Sequence, residues 1–584
     1  MSGETIGQEA VSQTNKMAWW REAKFGMFIH WGLYAIPAGV WNGKEIPGIG
    51  EWIMKRAQVP IAEYAKLAEQ FNPVRFNSRE WVEVAKNAGM KYIVITAKHH
   101  DGFCMYHSKV SKYNIVDATP FGRDPMKELA EACAEAGLRL CFYYSQTQDW
   151  YEKDAVGNDW DFPNAEEKQF ERYLEEKVKP QVKELLTQYG PIGLIWFDTP
   201  MMMTSEQSIE LAEYVRSIQP DCIVNGRVGN GFGDYVCLGD NETPATSLTA
   251  DWETCATLNH TWGFKTNDHD WKSPETIIRL LSDIVSKNGT YLLNVGPTAE
   301  GVIPEPSVNI LQEVGQWLSR NEAAIRGTTA NPFQTEYEWG TVTLKPGKVF
   351  VHFFSWPGEI FSLRGLKNVV HKASLLAMPD RELEFEQAYD AEAGAYTLNV
   401  TLPSEAPDHP VAVLALDIDG LTAAADNSLA QRADGSVVLE AHRADIRKED
   451  GSKLALSRAG VITGWFQPSD RLSWTFKAVT PGQFRVDLIS MAEKARDSLG
   501  EHVGRWEGGH ELRIEAAGQQ LSFTVEEQER IVTSRSLYFH RVRSSAGVIE
   551  IDAPGEYNLE IVPVKLNTEQ GLGLKLVSVN LQPV

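Results

Sequence analysis

The chain has 584 residues, 43% of them hydrophobic and 23% charged, enough for several domains with sizeable cores. Its formal net charge of -23 argues against a nucleic-acid or anionic-membrane partner, each of which needs a basic surface, and no apolar stretch reaches the ~18 residues that span a bilayer. The first ten residues show no basic segment followed by an apolar run, and the six cysteines (104, 133, 141, 222, 237, 255) lack paired spacing, so reduced thiols in a cytoplasmic protein are expected; a secreted parent that has lost its leader is the alternative.

From about residue 20 to 330, apolar β-branched runs alternate with helical patterns, the signature of βαβ units around a parallel sheet. Phe25 to Trp31 reads as the first strand. Trp81, Val84, Ala85 and Ala88 form one helical face that stops at Gly89 before the strand Tyr92 to Ala97. Asp124-Pro125 opens the next helix, Gly137 closes it, and Leu138 to Tyr144 follows as the third strand. A charged helix, roughly Glu166 to Tyr189, precedes Gly193 to Phe197. A helix around Ser205 to Ile218 precedes Cys222 to Gly226, the stretch 228–260 is irregular, and a helix capped at Ser273-Pro274 runs to Asn288-Gly289 before Tyr291 to Val295. Seven or more such strands over about 300 residues predict a (β/α)8-like (TIM) barrel in residues 1–331.

After about residue 332 the texture changes to short alternating strands between turn clusters, which predicts a β-sandwich in 332–420. A small polar stretch, Thr422 to Arg432, reads as a linker, and a second β-rich accessory domain completes 421–584. The tail beyond 436 suits structural support or assembly of a homo-oligomer.

In a parallel barrel the chemistry gathers where strands end at the C-terminal face. His30, His99-His100-Asp101, Tyr143-Tyr144-Ser145, Asp198 and Asn225-Gly226-Arg227 all close apolar runs. Asp198 follows Leu-Ile-Trp-Phe, and Ser205 is a better cap for the next helix, so Asp198 reads as catalytic rather than as a cap. His30, His99 and His100 invite a metallohydrolase reading, but neighbouring strand residues face opposite sides and no His-Glu-x-x-His pattern or cysteine pair accompanies them. Trp31, Trp52, Trp196 and Trp262 lie beside these polar residues, and aromatic planes near convergent hydrogen-bonding groups suit a sugar, although core packing explains any one of them equally well. Cleaving a glycoside needs a second carboxyl, protonated near neutral pH. Asp240, Glu242, Glu253 and Glu51 are the candidates; Glu253 leads because Trp252 and an uncharged run desolvate it.

Phe25-Gly-Met-Phe-Ile-His-Trp-Gly32, Lys98-His-His-Asp-Gly-Phe103, Trp196-Phe-Asp198, Trp252-Glu-Thr-Cys255 with Trp262-Gly-Phe264, and Leu292-Leu-Asn-Val-Gly-Pro297 together resemble the family-29 α-L-fucosidases. That resemblance implies a retaining exo-α-L-fucosidase that hydrolyses terminal fucose from oligosaccharides or glycoconjugates without metal or cofactor. It implies Asp198 as nucleophile, Glu253 as acid/base with Glu242 as the alternative, and fucose contacts from Phe28, His30, Glu51, Trp52, His99, His100, Tyr144, Trp196, Arg227, Trp262 and Phe264. Tyr143 is the alternative to Tyr144. Thr199 stands where the family usually has Gly. A non-catalytic fucose-binding protein is the remaining rival.

Overall fold

The computed structural model describes residues 16–584 apart from 245, 249, 334–336, 338, 391–394, 426–428, 433, 458–459, 495–504 and 532–538, so the chain start and the middle of the expected linker lie outside the described residues. Two compact units divide at Thr328/Thr329, with Glu242–Leu248 counted in the second.

The first unit is built on eight strands: β1 (Phe25–Ile29), β2 (Tyr92–Lys98), β3 (Arg139–Ser145), β4 (Leu194–Asp198), β5 (Ile223–Val224), β6 (Val236–Cys237), β7 (Trp252–Thr257) and β8 (Gly289–Val295). They pair in the order 5-4-3-2-1-8-7-6, every pairing parallel, which is the cyclic order of a (β/α)8 barrel. The ladder is open between β5 and β6. There the Asp234 amide donates to the Val224 carbonyl (2.7 Å) and the Val224 amide to the Asp234 carboxylate (2.8 Å). This approach requires glycine: a Cβ on Gly233 would lie 2.4 Å from the Asn225 carbonyl oxygen.

Helices α1 (Ser78–Asn87), α2 (Pro125–Ala136), α3 (Lys179–Gln188), α4 (Ser205–Ile218), α5 (Pro274–Ser286) and α6 (Glu305–Asn321) cover the sheet. Asp124 caps α2 by accepting from the amides of Met126 and Lys127, and Ser273 caps α5 through Thr276, as their sequences predict. At α4 the cap is Thr204, one residue before the expected Ser205, because Gln207 completes a capping box with it. Among the described residues only a single 3₁₀ turn (Gly226–Val228) lies between β5 and β6, and no α-helix separates β5 from β6 or β6 from β7, which accounts for the irregular texture of 228–260.

Strand alternation decides what faces the barrel axis. Phe28 from β1, Tyr92 and Val94 from β2, Cys141 and Tyr143 from β3, Leu194 and Trp196 from β4, and Cys255 from β7 share one core cluster. Gly26 makes room for the Tyr92 ring, whose atoms would lie 2.3 Å from a Cβ at that position.

The second unit contains two sandwiches. In the first, a five-stranded sheet including Lys348–Phe353 and Ala412–Ile418 and a three-stranded sheet centred on Ala395–Thr401 enclose Val351, Phe361, Leu398 and Leu414. In the second, a seven-stranded sheet including Gly482–Glu493 and Leu574–Pro583 and a five-stranded sheet including Arg471–Ala478 and Gly555–Lys565 enclose Trp465, Trp474, Val486 and Ile561. The fold class is the one expected, a (β/α)8-like barrel followed by two β-sandwiches. No helix among the described residues is long and apolar enough to cross a membrane, and all six cysteines are free thiols.

Candidate active site

At the C-terminal ends of the strands lies a cavity of about 110 Å³. Ligand pockets for drug-sized molecules run to roughly 300–1,000 Å³, so this one has room for a single sugar ring.

Asp198 is the last residue of β4 and faces the cavity. Its Oδ1 accepts from Arg227 Nη1 (2.9 Å) and from the Thr199 amide (2.9 Å), and its Oδ2 accepts from the Tyr143 hydroxyl (2.8 Å). Burial alone would raise its pKa. The charge of Arg227 and the hydrogen bonds from Arg227 and Tyr143 outweigh burial and hold the carboxyl below its ordinary range, so Asp198 is ionised. The Arg227 guanidinium lies 4.7 Å from the centre of the Trp196 ring and extends Nη2 to Asp240 Oδ1 at 2.5 Å. One planar cation thus spans two carboxylates at the cavity mouth.

The histidines are neutral. His30 and His100 are pushed down to about 4, chiefly by burial, and burial holds His99 well below its usual value. His30 Nδ1 is fixed by Asn294 Oδ1 and His100 Nδ1 by the Ser145 hydroxyl, both at 2.7 Å. Two buried polar atoms among the cavity residues have no partner, His99 Nδ1 and Glu51 Oε1. The other Glu51 oxygen accepts from the Gly263 amide (2.9 Å), and burial raises its carboxyl to about 7. Orphaned buried polar atoms are rare unless a ligand or water meets them. Phe28, Trp52, Trp196 and Trp262 supply apolar walls beside these neutral donors and acceptors, an arrangement that suits an uncharged polyhydroxylated ligand.

Of the site residues expected from sequence, Phe28, His30, Glu51, Trp52, His99, His100, Trp196, Asp198, Arg227 and Trp262 line this one cavity. Four others do not. Tyr144 points the opposite way from Tyr143, into the helical layer, where its hydroxyl donates to Gln181 of α3 (2.7 Å); the alternation of β3 selects Tyr143 instead. Glu253 is only 1% exposed and lies one inward position below Cys255 on β7. Its Oε1 accepts from Trp196 Nε1 (2.8 Å) and the Tyr235 hydroxyl (3.0 Å), its Oε2 from the Tyr92 hydroxyl (3.1 Å). Burial does raise its pKa as the sequence suggests, but the carboxyl is part of the barrel floor beneath Trp196. Glu242 falls in the second unit, and Phe264 is half-buried outside the cavity lining. Trp31 is a core residue, stacked on Phe76 at 5.3 Å. Sequence reasoning missed Ile49 and Cys255 in the lining; for Cys255 the signal was available, since alternation along β7 puts it on the same side as Glu253.

The family model for α-L-fucosidases matches residues 5–323, more than half of the chain. The chain belongs to the α-L-fucosidase family. It is a glycoside hydrolase by that membership. The tissue α-L-fucosidase of Bos taurus is 32% identical over 360 residues, covering 58% of this chain and 75% of that protein. An α-L-fucosidase structure from Vibrio sp. strain EJY3 superposes with a TM-score of 0.84 at 32% identity and covers 98% of both chains, so the sandwiches are shared as well as the barrel. The Lactobacillus casei α-L-fucosidase solved in complex with α-L-fucose product is 42% identical and covers 52% of this chain and 99% of its own, with a TM-score of 0.50.

Proposed function

We propose that this fucosidase is a retaining, exo-acting enzyme in which Asp198 is the nucleophile and Asp240 the acid/base. The observation that carries this reading is the meeting of two carboxyl groups at the mouth of a one-sugar cavity, Asp198 buried and held ionised beside Arg227, and Asp240 partly exposed on the far side of that guanidinium. A single-sugar cavity suits a terminal fucosyl residue, with its methyl group against the aromatic walls. Phe28, His30, Glu51, Trp52, His99, His100, Tyr143, Trp196, Arg227 and Trp262 would make the fucose contacts.

In the first step an Asp198 oxygen bonds to the anomeric carbon, the glycosidic C–O bond breaks with its electron pair, and the Asp240 proton passes to the leaving oxygen. In the second, Asp240 takes a proton from water as that water attacks the same carbon, releasing fucose and restoring the Asp198 carboxylate. Arg227 cannot serve as the acid, because a guanidinium does not give up its proton near neutral pH. Asp240, with 44% of its side chain exposed, can exchange protons with solvent in every cycle. Glu253 has no such route, and the acid/base role moves from it to Asp240. Glu51 is the second reading for the proton donor, favoured by a carboxyl raised to about 7 and an unpartnered oxygen.

The test is azide chemistry on an activated aryl α-L-fucoside. Asp198→Gly should lose about 10³-fold or more in kcat and yield β-fucosyl azide by a single inversion. Asp240→Ala should slow with poor leaving groups and yield α-fucosyl azide, while Glu51→Ala and Glu253→Ala should yield none. Wild-type turnover by Asp198→Gly would sink the nucleophile; α-fucosyl azide from Glu51→Ala in place of Asp240→Ala would transfer the acid/base role to Glu51.

A further inference from the structure

The segment that leaves β3 reads Gln146-Thr147-Gln148, and all three residues are at most 1% exposed. Buried side-chain amides and hydroxyls need partners, so where these go is a question with an answer. None reaches the sugar cavity lining. Gln146 Oε1 accepts from the Asp198 amide and Gln146 Nε2 donates to the Arg227 carbonyl, both at 2.8 Å. The Thr147 hydroxyl donates to the Thr199 carbonyl (2.5 Å), and Gln148 Nε2 donates to the Thr199 hydroxyl (3.2 Å).

A second observation shows why that bracing is needed. Thr199 has φ +47°, a left-handed conformation that a β-branched residue adopts only under strain. Such strain persists where the surroundings over-determine it. Here it aims the Thr199 amide at Asp198 Oδ1. The turn after β4 is therefore held by the segment after β3, and through Gln146 the same segment holds the backbone of Arg227 after β5.

We propose that Gln146 is a positioning residue that sets the Arg227 guanidinium against the Asp198 carboxylate, by clamping the backbones of both residues with one side chain. This rests on Asp198 being the nucleophile. Asp198 is faced by Arg227 from beyond β5, His100 from beyond β2, Tyr143 on β3 and His30 beside β1, with Asp240 on the far side of Arg227. Of these only Arg227 brings a fixed positive charge, since the buried histidines are neutral. If Arg227 drifts from its 2.9 Å contact, its attraction falls with distance and burial is left to dominate, so Asp198 titrates at a higher pH. A displacement of Arg227 of this kind also costs rate, because shifts of about 1 Å can cost up to 10²-fold.

The experiment compares wild type with Gln146→Met, which keeps length and volume and loses both hydrogen bonds. The readouts are the acidic limb of the kcat/KM profile on an aryl α-L-fucoside and the thermal midpoint. We expect kcat/KM to fall about 10- to 100-fold and the acidic limb to move up by about one pH unit. An unmoved limb, whether or not the rate falls, overturns the proposal, because a merely structural role lowers stability without changing how Asp198 titrates. Should Gln146→Met not fold, Gln146→Glu keeps the acceptor for the Asp198 amide and loses the donor to the Arg227 carbonyl; an unmoved limb there overturns it equally. Arg227→Met sets the scale, and its limb should lie at least as high. If Asp198→Gly retains activity, the nucleophile reading fails and not the clamp alone.

Discussion

The mouth and the floor of the barrel each bury a carboxylate on the inward face of a strand, and the two have opposite electrostatics. Asp198 at the mouth meets a guanidinium and is held ionised. Glu253 on the floor meets only neutral donors, from Trp196, Tyr235 and Tyr92, and burial raises its pKa. Desolvation acts on both, so burial by itself does not identify a catalytic carboxyl. What separates them is a fixed charge within hydrogen-bond reach and contact with a cavity. Trp196 makes the division physical: its ring lines the cavity while its Nε1 donates downward to Glu253.

The comparison breaks most readily at the floor. Glu253→Ala would leave three buried donors without an acceptor and open a void, which should cost about 3–5 kcal/mol of stability. Glu253→Gln, neutral like the protonated acid, should cost about 1 kcal/mol and leave kcat within a few-fold of wild type. Thermal or denaturant unfolding of the pair, with kcat on the folded fraction, checks this; a Gln variant of full stability but no activity would return Glu253 to the chemistry.

Smaller effects separate the two adjacent tyrosines. Tyr143→Phe removes a hydrogen bond to ionised Asp198 and should lower kcat/KM about tenfold, the worth of roughly 1.5 kcal/mol. Tyr144→Phe loses only its bond to Gln181 on α3 and should cost about 1 kcal/mol of stability with near-normal kcat/KM. Equal kinetic losses in both variants would contradict the inward assignment of Tyr143.

Much of the barrel was legible because its signals are local. Asp124-Pro125, Ser273-Pro274 and the apolar runs of β1 to β4 each carry their own cap or period, and the polar residues that end them gathered at one mouth. Depth was not legible. Alternation says that Glu253 and Cys255 face inward, but the height of each along the barrel depends on the register of β7 against β8, where Glu253 stands beside Thr290, near the start of both strands. The choice between Tyr143 and Tyr144 likewise hung on register. Tyr143 stands beside Trp196, and side by side in a parallel pair the two rings stack at 5.7 Å on the same side of the sheet. Asp240 was visible as a candidate, yet its pairing with Arg227 joins segments beyond β5 and β6 that no local pattern connects.

The most direct measurement of the central claim is covalent trapping. Incubation with a 2-deoxy-2-fluoro-L-fucosyl fluoride should slow release of the fucosyl-enzyme, and peptide mapping by mass spectrometry should place a single fluorofucosyl group on Asp198. A label on Asp240, Glu51 or Glu253 instead, or turnover with inverted fucose and no label at all, would contradict the account.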